Sequence, residues 1–357
     1  MSAAPADLVR FSLREPERLC EFSPSSWELL IRQARSAGLL ARIAVLLERR
    51  DLLAGVPPGP AAHLVAARTL ATAQQDEVLR EVAHIGEALR PLSTPVILLK
   101  GTAYLLAGLP ASLGRTFSDV DVLVPRDRLA EAEAALMLAG WATTHPSAYD
   151  QRYYRRWMHQ LPPLQHIRRQ TVLDVHHAIL PDTARLKPSS RRLLEAAEPL
   201  EGHPGFSTLS PPDLVLHSMT HLFHNEDLSR GLRDLSDLDL LMRHFGDRRG
   251  FWDQLLERSR ELDLERPLYY GLHQAHAILG TPVPPSTLER SKRAAPPWPL
   301  RSVMDRLWSN ALIPDRSSRR SMTPVALFAL YVRAHWLRMP PGLLARHLAV
   351  KATMQPR

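Results

Sequence analysis

The sequence predicts an α+β protein in which a small mixed-sheet core is flanked by helical N- and C-terminal regions. Residues 1–92 carry apolar residues at helical spacing. Residues 93–185 switch to short apolar runs of strand type, and residues 186–357 return to helical spacing. A length of 357 residues suits two or three domains, and these three stretches are the expected units.

In the first stretch, Trp27, Leu29, Leu30 and Ile31 and then Leu39, Leu40, Ile43, Leu46 and Leu47 recur on a helical period. Pro57-Pro58-Gly59-Pro60 breaks the pattern, and 61–92 resumes it. In the second, Pro95 to Leu99 reads as a buried strand that ends in a tight turn at Lys100-Gly101, with Thr102 as the cap of a short helix over 103–107. A second strand covers 120–124, and helix 128–139 closes at Gly140. Residues 164–168 and 171–176 form a hairpin around Arg169-Gln170. The third stretch gives helices over 212–223, 228–245, 251–262, 267–279 and 324–339. The proline-rich segment 281–300 and residues 316–321 read as loops, and no internal repeat is present.

Composition narrows the function classes. With 45% hydrophobic and 23% charged residues, the chain has the material for a real core. A single cysteine, Cys20, excludes a disulfide scaffold or a cysteine-based zinc cluster and points to a reducing, cytoplasmic setting. No apolar run approaches the roughly 18 residues of a membrane span. The first twenty residues carry acids where a signal peptide needs an apolar stretch, so no membrane association is expected. The net charge is +8, yet only four basic residues are lysines (Lys100, Lys187, Lys292, Lys351), and the arginines alternate with acids, as over 257–263. That interleaving favours solvated faces over a nucleic-acid surface, while the positive field would still attract nucleotides and phosphates. P-loop, Rossmann, zinc-finger and serine-elbow patterns are all missing.

The chemistry concentrates in Leu98-Leu99-Lys100-Gly101-Thr102 and in Arg115 to Val124. On a strand, residues i and i+2 share a face, so Asp119 and Asp121 project together while Val120 and Val122 face the core. Two adjacent carboxylates repel and are costly to bury unpaired. A divalent cation resolves both problems, and Mg²⁺ is a hard ion commonly shared between carboxylates and substrate phosphates. Gly101 would let backbone approach a phosphate closely. Asp174, in Val172-Leu173-Asp174-Val175-His176, would complete a metal-binding triad if its strand lay beside the Val120 strand. His176 shares the Asp174 face and would touch substrate or orient Asp174; His177 faces the other way.

A Gly-Thr turn, a downstream Asp-x-Asp strand and a later third Asp resemble the nucleotidyltransferase fold of the DNA polymerase beta superfamily. The fuller pattern of Lys100, Gly101, Arg115, Asp119, Asp121, Asp174 and His176 resembles the bacterial uncharacterised nucleotidyltransferase family. The likeness is densest over 96–176, and the segment around 213–240 is similar too. Two details depart from the superfamily: Thr102 stands where Ser is common, and the gap from Gly101 to Asp119 is long. The resemblance implies Mg²⁺-dependent transfer of a nucleoside monophosphate from an NTP, ATP foremost, to an acceptor that it does not name, small molecule or protein. It assigns metal and catalysis to Asp119, Asp121 and Asp174, and nucleotide binding to Lys100, Gly101, Thr102 and Arg115. Arg115 would contact the triphosphate or pair with Asp119; Lys100 would meet phosphate or stand as a surface charge. The alternatives are a non-catalytic nucleotide-binding regulatory or antitoxin-like module and a metal-dependent phosphohydrolase.

Two further segments stand out. His217, His221 and His224 precede Arg230, Arg233, Asp234, Asp237 and Asp239. They read as a polar seam between helices and core, as a nucleotide or acceptor contact with Arg233 and Asp234 closing over the site, or as a separate metal centre. Residues 152–157 mix arginine with Tyr153, Tyr154 and Trp157, a pattern for stacking on bases or for a surface helix with its aromatics packed inward.

Overall fold

The structure is a computed structural model that describes residues 7–145, 147–318 and 321–345. Helices α1 (Leu8–Arg14), α2 (Pro24–Ala37), α3 (Leu40–Arg49) and the long α4 (Pro58–Leu89) open the chain. α2 is capped by Ser23, whose Oγ accepts from the Ser26 N–H at 3.2 Å, and ends at Gly38 with φ +69°. The helical pattern breaks between α3 and α4 as expected, but it resumes at Pro58 rather than at 61, so these prolines open the second helix. Pro58 occupies the first turn of α4, where a missing N–H costs nothing because it has no intrahelical partner anyway.

The sheet follows. β1 (Val96–Leu98) leads into α5 (Lys100–Leu106), β2 (Val120–Leu123) into α6 (Leu129–Leu138), and β3 (Trp141–Thr143) into α7 (Ala148–Trp157). The hairpin β4 (Leu164–His166) and β5 (Val172–His176) precedes α8 (Ser190–Glu195) and the short strands β6 (Glu198–Pro199) and β7 (Phe206–Thr208). The strand order is β3-β4-β5-β2-β1-β7-β6. β2–β5 and β1–β7 are parallel and the other neighbours antiparallel, so the sheet is mixed as expected. All four residues of β2 are buried, which places the Asp-x-Asp strand in the middle of the molecule.

The remaining chain is helical: α9 (Pro211–His224), α10 (Gly231–Gly246), α11 (Phe251–Glu261), α12 (Glu265–Leu279), α13 (Pro285–Ser291), α14 (Leu300–Ala311) and α15 (Thr323–Arg338). Around Phe223 of α9 an aromatic cluster forms the core, with the Trp308 ring edge-on at 4.7 Å and Tyr270 at 5.7 Å. Segment 281–300 is not a plain loop, since Pro285 starts α13 and Pro299 precedes α14. In segment 316–321, residues 316–318 form a single tight turn, and 319–320 lie outside the described residues, as do the first six residues of the N-terminal stretch. α15 turns small residues (Ala326, Ala334) inward with Leu330, and leaves Phe328, Val332 and Trp336 exposed. Among the described residues no helix is long and apolar enough to cross a membrane.

Candidate active site

Parallel pairing of β2 with β5 sets Asp121 opposite Asp174 and Val120 opposite Leu173. Register partners on adjacent strands point to the same face, so the two carboxylates are brought together on one side while Val120, Val122, Leu173 and Val175 are buried on the other. Asp119 sits one residue before β2, on the Asp121 side of the alternation.

β1 delivers the second component. After Leu99 the chain turns at Lys100, whose φ of +48° is left-handed, an unusual conformation for a residue with a side chain. The turn sends its Nζ to Oδ1 of Asp121 at 2.8 Å. His176 donates from Nε2 to the same oxygen at 2.9 Å. Burial would raise the proton affinity of Asp121, but Lys100 and His176 outweigh it and hold this carboxylate ionised, well below its usual range. Asp174 goes the other way: burial first, then the charge of Asp121, push it up to about 6. Asp119 is raised as well, mainly by the charge of Asp121 and then by burial, against Lys100 and a 2.7 Å hydrogen bond from Ser118 Oγ.

Asp121, Asp174 and His176 can each offer a ligand atom within 4.8 Å of one another. Asp174 Oδ1 is buried and has no hydrogen-bond partner among the described residues. A buried carboxylate oxygen without a donor is unfavourable unless a cation takes it, so these residues fit a divalent metal. The tightest grouping is thus not the all-carboxylate triad expected from the sequence. His176 stands in it, bonded to Asp121 rather than to Asp174, and Asp119 flanks it.

Gly101, Thr102 and Arg115 depart from the sequence reading. Gly101 and Thr102 both lie inside α5 and are buried, and Thr102 caps nothing. Arg115 pairs neither with Asp119 nor with open solvent. Its Nε donates to Asp237 Oδ2 at 3.0 Å, and Arg42 Nη1 reaches the other oxygen at 2.7 Å. Arg42 also donates to Ser236 Oγ and to the carbonyl of Ala111. This buried Arg-Asp-Arg bridge ties α3, the loop before β2 and α10 together. Its Arg115 end lies directly against Gly101, where a β-carbon would fall 2.0 Å from Nη1. Of the glycine turn, Lys100 is the residue whose side chain reaches the carboxylates.

The histidine helix reaches the same place. His217 is buried on α9, and burial together with the charge of Lys100 drops it to about 3, so it is neutral at physiological pH. His221, one turn on, lies 4.0 Å from Asp234 Oδ2, and Arg233 donates to Asp234 Oδ1 at 2.9 Å. Arg233 and Asp234 therefore pair with each other at the edge of the site. The His159 ring lies 5.2 Å from that of His176. On α7, Tyr149 stacks on Tyr153, which meets Trp157 edge-on; no residue of the helix is fully buried, and Arg155 pairs with Glu133. Tyr154 of the same helix is pushed above its usual range by partial burial and then by the charge of Asp174. His159 escaped sequence reasoning, while Tyr154 and Asp237 stood in segments the sequence singled out without their partners being legible.

Asp-x-Asp on a central strand, a third carboxylate in register on its parallel neighbour and a glycine-bearing helix entrance on the other side form the layout of a nucleotidyltransferase. The chain matches the family model described as uncharacterised nucleotidyltransferase over residues 23–280, and it belongs to that family. It is accordingly a transferase that moves nucleotidyl groups. No curated protein and no solved structure matches it.

Proposed function

We propose that this protein transfers a nucleoside monophosphate from an NTP, with ATP the first choice, to an acceptor hydroxyl on a small molecule or protein, with release of pyrophosphate and with the help of Mg²⁺ or a similar divalent cation. The observation that carries this reading is the opposition of Asp121 and Asp174 across the β2–β5 pair, with Asp174 Oδ1 left unpartnered among the described residues. Asp121 and Asp174, with Asp119 beside them, would hold the cation, which when bound neutralises phosphate charge and polarises the reacting phosphorus. Lys100, already directed into the site, offers its ammonium to the triphosphate. The acceptor oxygen forms the new bond to the α-phosphorus as the bond to the β-phosphate oxygen breaks. Asp174, set opposite Asp121, would also be placed to take the acceptor proton. α7 and α9 line the approach with Tyr154, His217 and His221, neutral groups that can hydrogen-bond substrate without adding charge.

Incubation with each α-labelled NTP and fractionated small molecules and proteins tests this reading. Labelled acceptor and stoichiometric pyrophosphate are expected with the native protein and lost with Asp121→Asn. Equal labelling by the folded Asp121→Asn protein overturns it.

A further inference from the structure

We propose that the Asp121–Asp174 site takes an imidazole ligand, His176, and through it selects a first-row transition-metal ion such as Mn²⁺ over Mg²⁺. The inference rests on the cation-assisted reading above and adds the identity of the ion and of its third ligand.

His176 belongs to the tightest cluster of ligand atoms and Asp119 does not. Asp121 and His176 are only 4% exposed, so water competes poorly for them. Asp121 Oδ1 already accepts from two N–H groups, the Lys100 ammonium at 2.8 Å and His176 Nε2 at 2.9 Å, which marks this oxygen as a place where positive charge is received. Asp174 supplies a buried oxygen with no donor among the described residues. Ligation requires a ring lone pair on His176, so the proton that Nε2 shares with Asp121 leaves or moves to Nδ1, and Lys100 yields its contact. Two carboxylates and an imidazole are a mixed O/N donor set. Mg²⁺ prefers oxygen throughout and keeps its water, whereas imidazole suits the later divalent ions, which bind N/O sites more tightly in the order Mn²⁺ through Cu²⁺.

The test uses the full chain, stripped by chelation and titrated with Mn²⁺ in the absence of nucleotide. Pulsed electron paramagnetic resonance should show a directly bound ¹⁴N. That signal should persist in His159→Gln, which removes the neighbouring ring, and vanish in His176→Gln, with Mn²⁺ affinity falling on the order of tenfold or more. Mg²⁺ should displace Mn²⁺ only in large excess. Lack of nitrogen coupling in the native protein, its survival in His176→Gln, failure of Mn²⁺ to bind, or displacement by equimolar Mg²⁺ each overturns the proposal. The native-protein spectrum decides even if His176→Gln does not fold. An all-oxygen Mn²⁺ or Mg²⁺ site would refute it and leave nucleotidyl transfer standing.

Discussion

Arg115 occupies the space that a side chain at Gly101 would need: a β-carbon there would lie 2.0 Å from Nη1 and 2.6 Å from Cζ of Arg115. The glycine next to Lys100 is therefore required by a buried arginine, whatever phosphate does at the turn. Because that guanidinium is held by Asp237, an intruding methyl must either break the ion pair or move α5, and α5 carries Lys100.

Gly101→Ala is accordingly expected to cost about 3 to 5 kcal/mol, the scale of breaking a buried pair. Arg115→Ala should cost a similar amount by leaving Asp237 with one of its two arginines. Since both changes disable the same contact, the double variant should lose clearly less than the sum. Urea unfolding of the three variants is the check, and additive losses would show that residue 101 does not act through Arg115.

Acid stability should report on Asp237. Burial alone would raise its proton affinity, but Arg42 and Arg115 outweigh burial and hold the folded value below the ordinary carboxylate range. The unfolded chain then takes up this proton first, near pH 4. The stabilisation is complete above that value and is lost as pH falls through the lower folded value. Native protein should therefore weaken steeply below about pH 4. Asp237→Asn should start several kcal/mol lower at neutral pH and show a flatter acid limb. Parallel stability curves for the two proteins would contradict the assignment.

Much of the core of this site was legible in the sequence, and the reasons are local. β2 sets Asp121 between Val120 and Val122, and β5 sets Asp174 and His176 against Leu173 and Val175, so their faces follow from period two, and only their adjacency needed the structure. β6 and β7 have two and three residues and carry no period at all. Prolines misled where they begin helices, at Pro58 and Pro285. The long-range partners were out of reach: Arg115 and Asp237 are 122 residues apart, and His176 and Asp121 are 55 apart. Nothing local to Arg115 distinguishes an arginine that awaits phosphate from one that is buried on an aspartate of a distant helix.

The metal-free carboxylates should hold back the stability of the fold. Asp174 is raised to about 6 by burial and by Asp121, so its folded value exceeds its unfolded one. The fold tolerates the protonated form, and stability is lost as pH rises from the unfolded value through the folded one. At pH 8, metal-free Asp174→Asn should exceed the metal-free native protein by about 2 to 3 kcal/mol while transfer is abolished. Added divalent cation should close that gap by stabilising the native protein alone. Thermal melts with and without cation measure it, and a metal-free Asp174→Asn protein less stable than native at pH 8 would speak against carboxylate repulsion.

Lys100 offers the last test, because its backbone and its ammonium make separable contributions. The left-handed φ of +48° disfavours any residue with a β-carbon, while the Nζ contact with Asp121 rewards lysine. Lys100→Ala and Lys100→Gly both remove the ammonium, but only glycine relieves the backbone, so the glycine variant should be the more stable of the two by about 1 kcal/mol. Both should be less stable than native without metal, since Asp121 then keeps only His176. Both should also bind a divalent cation more tightly than native, because the ammonium no longer holds Oδ1, while NTP affinity falls for want of a phosphate partner. Calorimetric titration with Mn²⁺ and with a non-hydrolysable NTP separates these effects. Weaker cation binding in both variants would mean that Lys100 orients Asp121 for the metal instead of competing with it.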